Sequence, residues 1–501
     1  MYMEVKKALQ ELREVNTKLE HLIATLGLIQ WDMRTGAPRK ALEGRGEILA
    51  YLSGEVYKLQ TSDRMKELIE VLNGAEGLSD VEAAMVREAK KTYDLTKKVP
   101  EDRMTAYVKA VSDAESVWEE AKDKDDWETF KPHLKKVIDF QKELVGYYGY
   151  EGNKYNTMLD MYEPGVTVEK LDKVFSDLRD AIVELLNKIK DSGVNIDDSF
   201  FRGTFPEEDQ KAFSLFVLEK MGFDFDAGRL DVSVHPFTTN FGNKDVRITT
   251  NYHEDEFTSA MFSTVHEGGH GIYEQNIPDE LKGTGLNSGV SMGIHESQSR
   301  FYENILGRSR AFWNYFYPEV KKFFPAFEKV SQEDFYKGIN TVEPSLIRIE
   351  ADELTYSLHI IIRYELEKAI INEEIDIEEL PEAWKAKYKE YLGVEPTTYA
   401  EGLMQDTHWA SGLLGYFPSY ALGNLYGAQF VNKMLQDMPD MYEEVEKGNL
   451  DNIRNWLKDN IHKHGGVYRP DELIKRVTGE ELSAKYFVDY LNKKYAEIYN
   501  L

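Results

Sequence analysis

Residues 255–275 read DEFTSAMFSTVHEGGHGIYEQ, and this stretch decides both how the chain folds and where its chemistry begins. Phe257, Met261, Val265 and Ile272 recur at the spacing of an apolar helix face. Inside that pattern lies His266-Glu267-Gly268-Gly269-His270, an H-E-x-x-H motif. Residues i and i+4 sit one turn apart on one face, so both imidazoles can reach a single ion. Glu267 beside them can hold the proton of a water that the ion activates. A solvated histidine pair would need polar neighbours, and these neighbours are apolar. Gly268 and Gly269 each cost about 1 kcal/mol against alanine in mid-helix, which predicts a close approach by another backbone or a substrate.

The same period runs outward through most of the chain. From Val5 to Gly27 the apolar residues Leu9, Leu12, Val15, Leu19, Leu22, Ile23 and Leu26 keep three- and four-residue steps. Helical patterns follow at about 40–60, 80–98, 101–122, 131–148 and Val168–Asp191, and then near 345–372 and 418–436. No Gly/Ser or Pro-rich linker, low-complexity tract or repeat interrupts them, so residues 1–501 read as one continuous, mainly α body. One segment departs from this. Val232–Asn240 (VSVHPFTTN) and Asp245–Tyr252 (DVRITTNY) flank a Phe241–Lys244 turn and predict a β-hairpin beside the motif helix. Pro236 cannot donate to a ladder, which places it at an edge or a bulge.

Composition narrows the functional classes. The 501 residues are 30% charged and 42% hydrophobic, a globular balance large enough for one big domain or a few ordinary ones. Lys+Arg number 61 against 89 Asp+Glu, a net charge of −28 that repels phosphate backbones and anionic lipid. We therefore expect no nucleic-acid or membrane partner. No apolar run reaches the length of a bilayer span, and the opening MYMEVKKALQELREVN lacks the apolar core of a secretory signal, so a cytoplasmic location is expected. With 0 Cys, disulfides, thiol nucleophiles and thiolate metal sites are excluded, so any ion must sit on His, Asp or Glu.

Two histidines leave a tetrahedral hydrolytic site one protein ligand short. Glu296, in His295-Glu296-Ser297-Gln298, follows His270 by 26 residues on the next helical stretch. Met292, Ile294, Phe301 and Ile305 make that helix largely buried, where an unpaired carboxylate would be costly. His295 reads equally as a support behind a ligand, a substrate contact or a core histidine. Further on, Arg348, Asp352, Tyr356, His359 and Arg363 fall on one face of a helix read over Ser345–Asn372. That stripe predicts a cleft or a buried ion-pair network, and Arg348 suits bidentate capture of a carboxylate. Gly402–Trp409 (GLMQDTHW) gathers Gln405, Asp406 and His408, with Tyr416 and Tyr420 just beyond, and a tyrosine hydroxyl there can donate to an oxyanion. The hairpin adds His235, Asp245 and Arg247.

Six ordered segments together resemble the M32 metallocarboxypeptidases, the family of carboxypeptidase Taq. They are His235–Phe237 (HPF), Asp245–Thr249 (DVRIT), His266–His270 (HEGGH), His295–Gln298 (HESQ), Ile347–Asp352 (IRIEAD) and Gly402–Trp409 (GLMQDTHW). The resemblance implies a mainly helical, neurolysin-like zincin with a deep cleft, in which 230–430 carries the catalytic motifs and 1–150 forms a wall or lid. It implies a homodimer with one divalent ion per chain, zinc or cobalt, on His266, His270 and Glu296. Glu267 is then the general base and acid, and single amino acids leave the C-termini of peptides with broad preference. Arg348 is read as the clamp on the substrate carboxylate. His235, Arg247, Gln405, His408 and Tyr420 are read as substrate-binding, with His295, Asp352 and Asp406 supporting from behind. The competing readings are a helical zincin oligopeptidase that cuts internally and a non-catalytic peptide-binding protein.

Overall fold

Helix Val168–Ser192 shows how the apolar period becomes structure. The Thr167 hydroxyl accepts from the Lys170 N–H at the N-terminus, and Gly193, at φ 64°, ends the helix in the left-handed region. Between these ends Leu171, Phe175, Leu178, Ile182, Leu185 and Ile189 form one buried face. The computed structural model describes residues 2–501 and is 67% helical. Helices Tyr2–Thr35, Leu42–Gln60, Asp80–Lys98, Glu101–Lys124, Trp127–Tyr148 and Pro418–Asp437 occupy the ranges that the sequence pattern marks. No helix among the described residues is long and apolar enough to cross a membrane.

One expectation is corrected and one is extended. The helix read over 345–372 is helical only at Tyr356–Ile371, with a single 3-10 turn at Arg348–Glu350 before it. Pro344 disfavours helix at its start, and the Asp352 carboxylate takes the N–H groups of Glu343 and Thr355 and the Thr355 hydroxyl. Arg348 and Asp352 therefore do not share a helix face with Tyr356, His359 and Arg363. The expected hairpin is present as β2 Thr238–Asn240 and β3 Val246–Thr250, and a strand not read from the sequence, β1 Gly228–Val232, extends it to a three-stranded sheet of order β1-β3-β2. β2 pairs antiparallel to β3, whereas β1 pairs parallel to it. Ser233–Phe237 breaks the strand read there, because the Ser233 hydroxyl bonds the His235 carbonyl and Thr249, and Pro236 lies within the break.

The chain forms two compact units. The first comprises Met1–Lys97, Asp197–Ile339 and Phe430–Glu480; the second comprises Lys98–Ile196, Asn340–Gln429 and Glu481–Leu501. Residues 1–150 are thus shared between the two. In the first unit the sheet packs on the motif helix Thr258–Gln275, which also lies against helices Glu207–Met221 and Met292–Arg300. Phe257 anchors its N-terminal end in a cluster with Phe201, Phe205, Phe324, Phe327 and Phe335. In the second unit the buried Glu367 carboxylate accepts from the Trp409 indole at 2.7 Å, from the Gly415 N–H at 2.8 Å and from the Tyr155 hydroxyl. That carboxylate explains a tryptophan in an otherwise polar segment. The C-terminal helix Lys485–Tyr499 ties down the loop around Arg348: Lys494 Nζ lies 2.5 Å from the buried Glu353, and the Tyr499 hydroxyl accepts from the Val342 N–H.

Lys494→Met removes the cationic partner of the buried Glu353, and should lower unfolding free energy by about 3–5 kcal/mol. The double change Lys494→Met with Glu353→Leu should recover most of that loss, as urea denaturation of the three variants would measure.

Candidate active site

In the first unit, His266 and His270 project from one face of the motif helix, and Glu296 comes from helix Met292–Arg300. Glu296 Oε2 stands 3.5 Å from His266 Nε2 and 3.4 Å from His270 Nε2. Ligands about 2.0–2.1 Å from one tetrahedral ion lie about 3.3 Å from each other, so these atoms fit a single metal. They form the one such cluster found among the described residues. Each facing atom is aimed from behind. His266 Nδ1 lies 2.8 Å from Glu303 Oε2, His270 Nδ1 lies 2.6 Å from His295 Nδ1, and Glu296 Oε1 accepts from Arg300 Nε at 2.7 Å. Glu267 is buried beside them, and its Oε2 accepts from the Thr238 hydroxyl at 2.6 Å.

The protein groups alone set an uneven electrostatic field. Burial would lower His266, but the charges of Glu296 and Glu303 outweigh it and bring it up to about 9. Burial carries His270 down to about 3, and neighbouring His295 and His266 act in the same direction. Burial would raise Glu296, yet Arg300 and His266 hold it well below the usual carboxylate range. Glu267 is raised by burial, although His266 and Thr238 pull the other way. A buried carboxylate of raised basicity is suited to accept a proton.

His235 and Arg247 also belong to the first unit. His235 is exposed in the break between β1 and β2, while Arg247 on β3 pairs with Asp245 at 2.8 Å and stacks 4.4 Å from the Trp31 ring centre. The second unit gathers Arg348, Asp352, Gln405, Asp406, His408 and Tyr420. Arg348 Nε and Nη2 donate to Asp406 Oδ1 at 3.0 and 2.7 Å, and Nη1 donates to the Tyr356 hydroxyl at 2.9 Å. Asp406 Oδ2 accepts from Arg363 Nε at 2.8 Å, so one carboxylate serves two buried guanidiniums. Burial would raise Asp406, but Arg363 and Arg348 hold it well below the usual range. Burial lowers His408 to about 4 and also lowers His359, so neither imidazole adds charge to the two guanidiniums that share Asp406. Gln405 braces the loop, its Oε1 accepting from the Arg348 N–H and its Nε2 donating to the Leu346 carbonyl. His408 Nε2 lies 3.3 Å from the Tyr420 hydroxyl.

Comparison with known proteins covers the chain almost from end to end. The family model of the carboxypeptidase Taq (M32) metallopeptidases matches residues 11–495. The chain belongs to the M32 metallocarboxypeptidase family. It is 48% identical to Carboxypeptidase 1 of Bacillus subtilis over 501 residues, covering 100% of both chains. It is 42% identical to Thermostable carboxypeptidase 1 of Thermus thermophilus, covering 99% of this chain and 100% of that one. The crystal structure of an M32 carboxypeptidase from Deinococcus radiodurans superposes with a TM-score of 0.96 at 35% identity, covering 99% of this chain and 100% of that one. This M32 enzyme is a metal-dependent carboxypeptidase, its substrates are peptides, and its divalent metal has a site at His266, His270 and Glu296.

Four residues of the site were not read from the sequence of this M32 protein: Thr238, Glu274, Arg300 and Glu303. Glu274 had a signal, since it follows His270 at i+4 on the motif helix. Glu303 had one too, since it follows Glu296 at i+7, two helical turns along the same face, although Phe301–Leu306 winds as a π-turn.

The paired glycines are explained by packing. A Cβ on Gly269 would fall 2.7 Å from the Gln298 carbonyl oxygen and 2.8 Å from Ser299 Cα, so the approaching group is backbone. A Cβ on Gly268 would meet Leu218 Cδ2 at 2.6 Å and Met221 Cε at 3.0 Å, the movable ends of two side chains. Gly269→Ala should therefore destabilise by about 1–3 kcal/mol and weaken metal binding, because it pushes on the helix that carries Glu296. Gly268→Ala should stay within about 1 kcal/mol of the parent, its clash offset by helix propensity. Denaturant titration and metal titration of both variants would separate the two cases.

Proposed function

We propose that this carboxypeptidase releases single amino acids from peptide C-termini with broad side-chain tolerance, using one zinc ion per chain that cobalt can replace. The reading is carried by one observation: three ligand atoms at tetrahedral spacing, with the buried Glu267 carboxylate beside them. Two imidazoles and one carboxylate are the donor set of hydrolytic zinc sites that keep a fourth position open. A divalent ion held there supplies Lewis acidity, lowering the pKa of water and polarising the scissile carbonyl. Glu267 takes the proton of the attacking water. With Oε2 engaged by Thr238, Oε1 is the natural acceptor, and the proton then passes to the leaving amine.

In the same reading Arg348 holds the free carboxylate of the substrate. Two guanidiniums share the single carboxylate of Asp406, which supports this, since a second carboxylate would complete the pairing. Gln405 and Asp406 act through Arg348, while Tyr420, next to His408, donates to the oxyanion. His235 and Arg247 contact residues farther from the cut bond, and Asp352 supports the Arg348 loop. A cytoplasmic, dimeric enzyme is the setting we assign, open to test by fractionation and light scattering.

An N-blocked pentapeptide and its C-terminal amide, digested with and without Zn²⁺ or Co²⁺ and read by mass spectrometry, test this function. Metal-dependent stepwise loss of residues from the free acid alone is expected; internal cuts in both peptides would make the protein an oligopeptidase. Glu267→Gln should keep its metal and lose about 100- to 10,000-fold in turnover. Near-normal turnover by that variant with metal bound would remove Glu267 from the role. Arg348→Ala should lose about 2–5 kcal/mol in kcat/KM on free acids. An equal loss on a slowly cleaved amide would show that Arg348 does not read the carboxylate.

A further inference from the structure

The groups behind the two ligand histidines differ in kind. His266 Nδ1 meets a carboxylate directly, Glu303 Oε2 at 2.8 Å. His270 Nδ1 meets another imidazole, His295 Nδ1 at 2.6 Å, and His295 Nε2 in turn lies 2.7 Å from Glu274 Oε1. Two ring nitrogens this close share one proton, and the chemistry decides which ring carries it. His270 Nε2 faces Glu296 Oε2 and needs its lone pair to hold an ion, so the proton of that ring is on Nδ1. His295 Nδ1 is therefore the acceptor, and the proton of His295 sits on Nε2, aimed at Glu274. Glu274 is 2% exposed, and its Oε1 also accepts from the Ser288 hydroxyl and the Gly289 N–H, both at 3.0 Å. His270 and Glu274 are one turn apart on the motif helix, and His295 enters between them from the next helix.

We propose that Glu274 and His295 form a directional relay that locks His270 as its Nδ1-protonated tautomer and so presents Nε2 to the metal. The proposal rests on the reading that His266, His270 and Glu296 hold the ion. Both relay members are positioning residues, since they act only through His270. Hydrogen bonds of this kind fix ring orientation and ligand basicity, and losing one weakens metal affinity by about 10- to 100-fold. A neutral ring between carboxylate and ligand passes on less negative charge than direct contact does. His270 is thus a weaker donor than His266, and the site is asymmetric by construction.

The test is the Zn²⁺ dissociation constant of the full-length protein, measured after chelation by competition with a chromophoric chelator at one fixed pH. The d–d spectrum of the Co²⁺-loaded protein is recorded alongside. His295→Ala should weaken Zn²⁺ binding about 10- to 100-fold and alter the Co²⁺ spectrum. His295→Gln should recover most of the affinity and the parent spectrum, because its amide oxygen accepts from His270 while its NH₂ donates to Glu274. Glu274→Gln, which removes a charge with little change of shape, should weaken binding and decides the matter if His295→Ala does not fold. Parent-like affinity in both His295→Ala and Glu274→Gln overturns the relay, as does a His295→Gln protein no better than His295→Ala. His270→Ala is the separate control: if it binds Zn²⁺ as the parent does, the ligand assignment has failed rather than the relay.

Discussion

Unbalanced buried charge governs this molecule. Glu267, Glu274, Glu296 and Glu303 are drawn into the interior around two imidazoles, with Arg300 and Arg308 as their cationic partners. Ionised together, those carboxylates exceed the guanidiniums by two charges, which a divalent cation balances. An unpaired buried carboxylate is strongly unfavourable, so the metal belongs to the energetics of the fold as well as to its chemistry. The hydrogen bonds behind each ligand do two things at once: they satisfy groups that would otherwise be stranded, and they aim the remaining lone pairs at one point.

In the second unit two buried guanidiniums share one carboxylate. Asp406 sits between Arg348 and Arg363, and Arg363 is fully buried with its guanidinium 4.6 Å from the Trp384 ring centre. The histidines nearby are pushed toward neutrality by burial, so they do not add to the charge. The carboxylates around His266 and His270 thus call for a cation, and the two guanidiniums that share Asp406 call for a second carboxylate.

The legible part of this structure was the part written at regular period. Long helices such as Val168–Ser192 and the motif helix repeat apolar residues at a fixed step, and short motifs named the three ligands before any geometry was known. What escaped was irregular. Asp352 competes for backbone N–H groups and stops a helix that the pattern continues, so the polar stripe inferred from Arg348 to Arg363 does not exist as one face. β1 carries Arg229 and Asp231, a polar pair that hides a strand, and its parallel partner is not the neighbour that a hairpin reading supplies. The parallel pairing of β1 with β3 leaves no local pattern in a single sequence.

The meeting of the two ligand-bearing helices at Gly269 has a consequence for heat. Side chains between helices are soft spacers that swap rotamers as temperature rises, whereas contact between main chains is limited by steep repulsion and has little room to change. The spacing between the histidine pair and Glu296 is therefore set by a stop rather than by a cushion. Warming should loosen the surrounding layers first and leave the spacing of the ligands little altered until the unit unfolds as a whole.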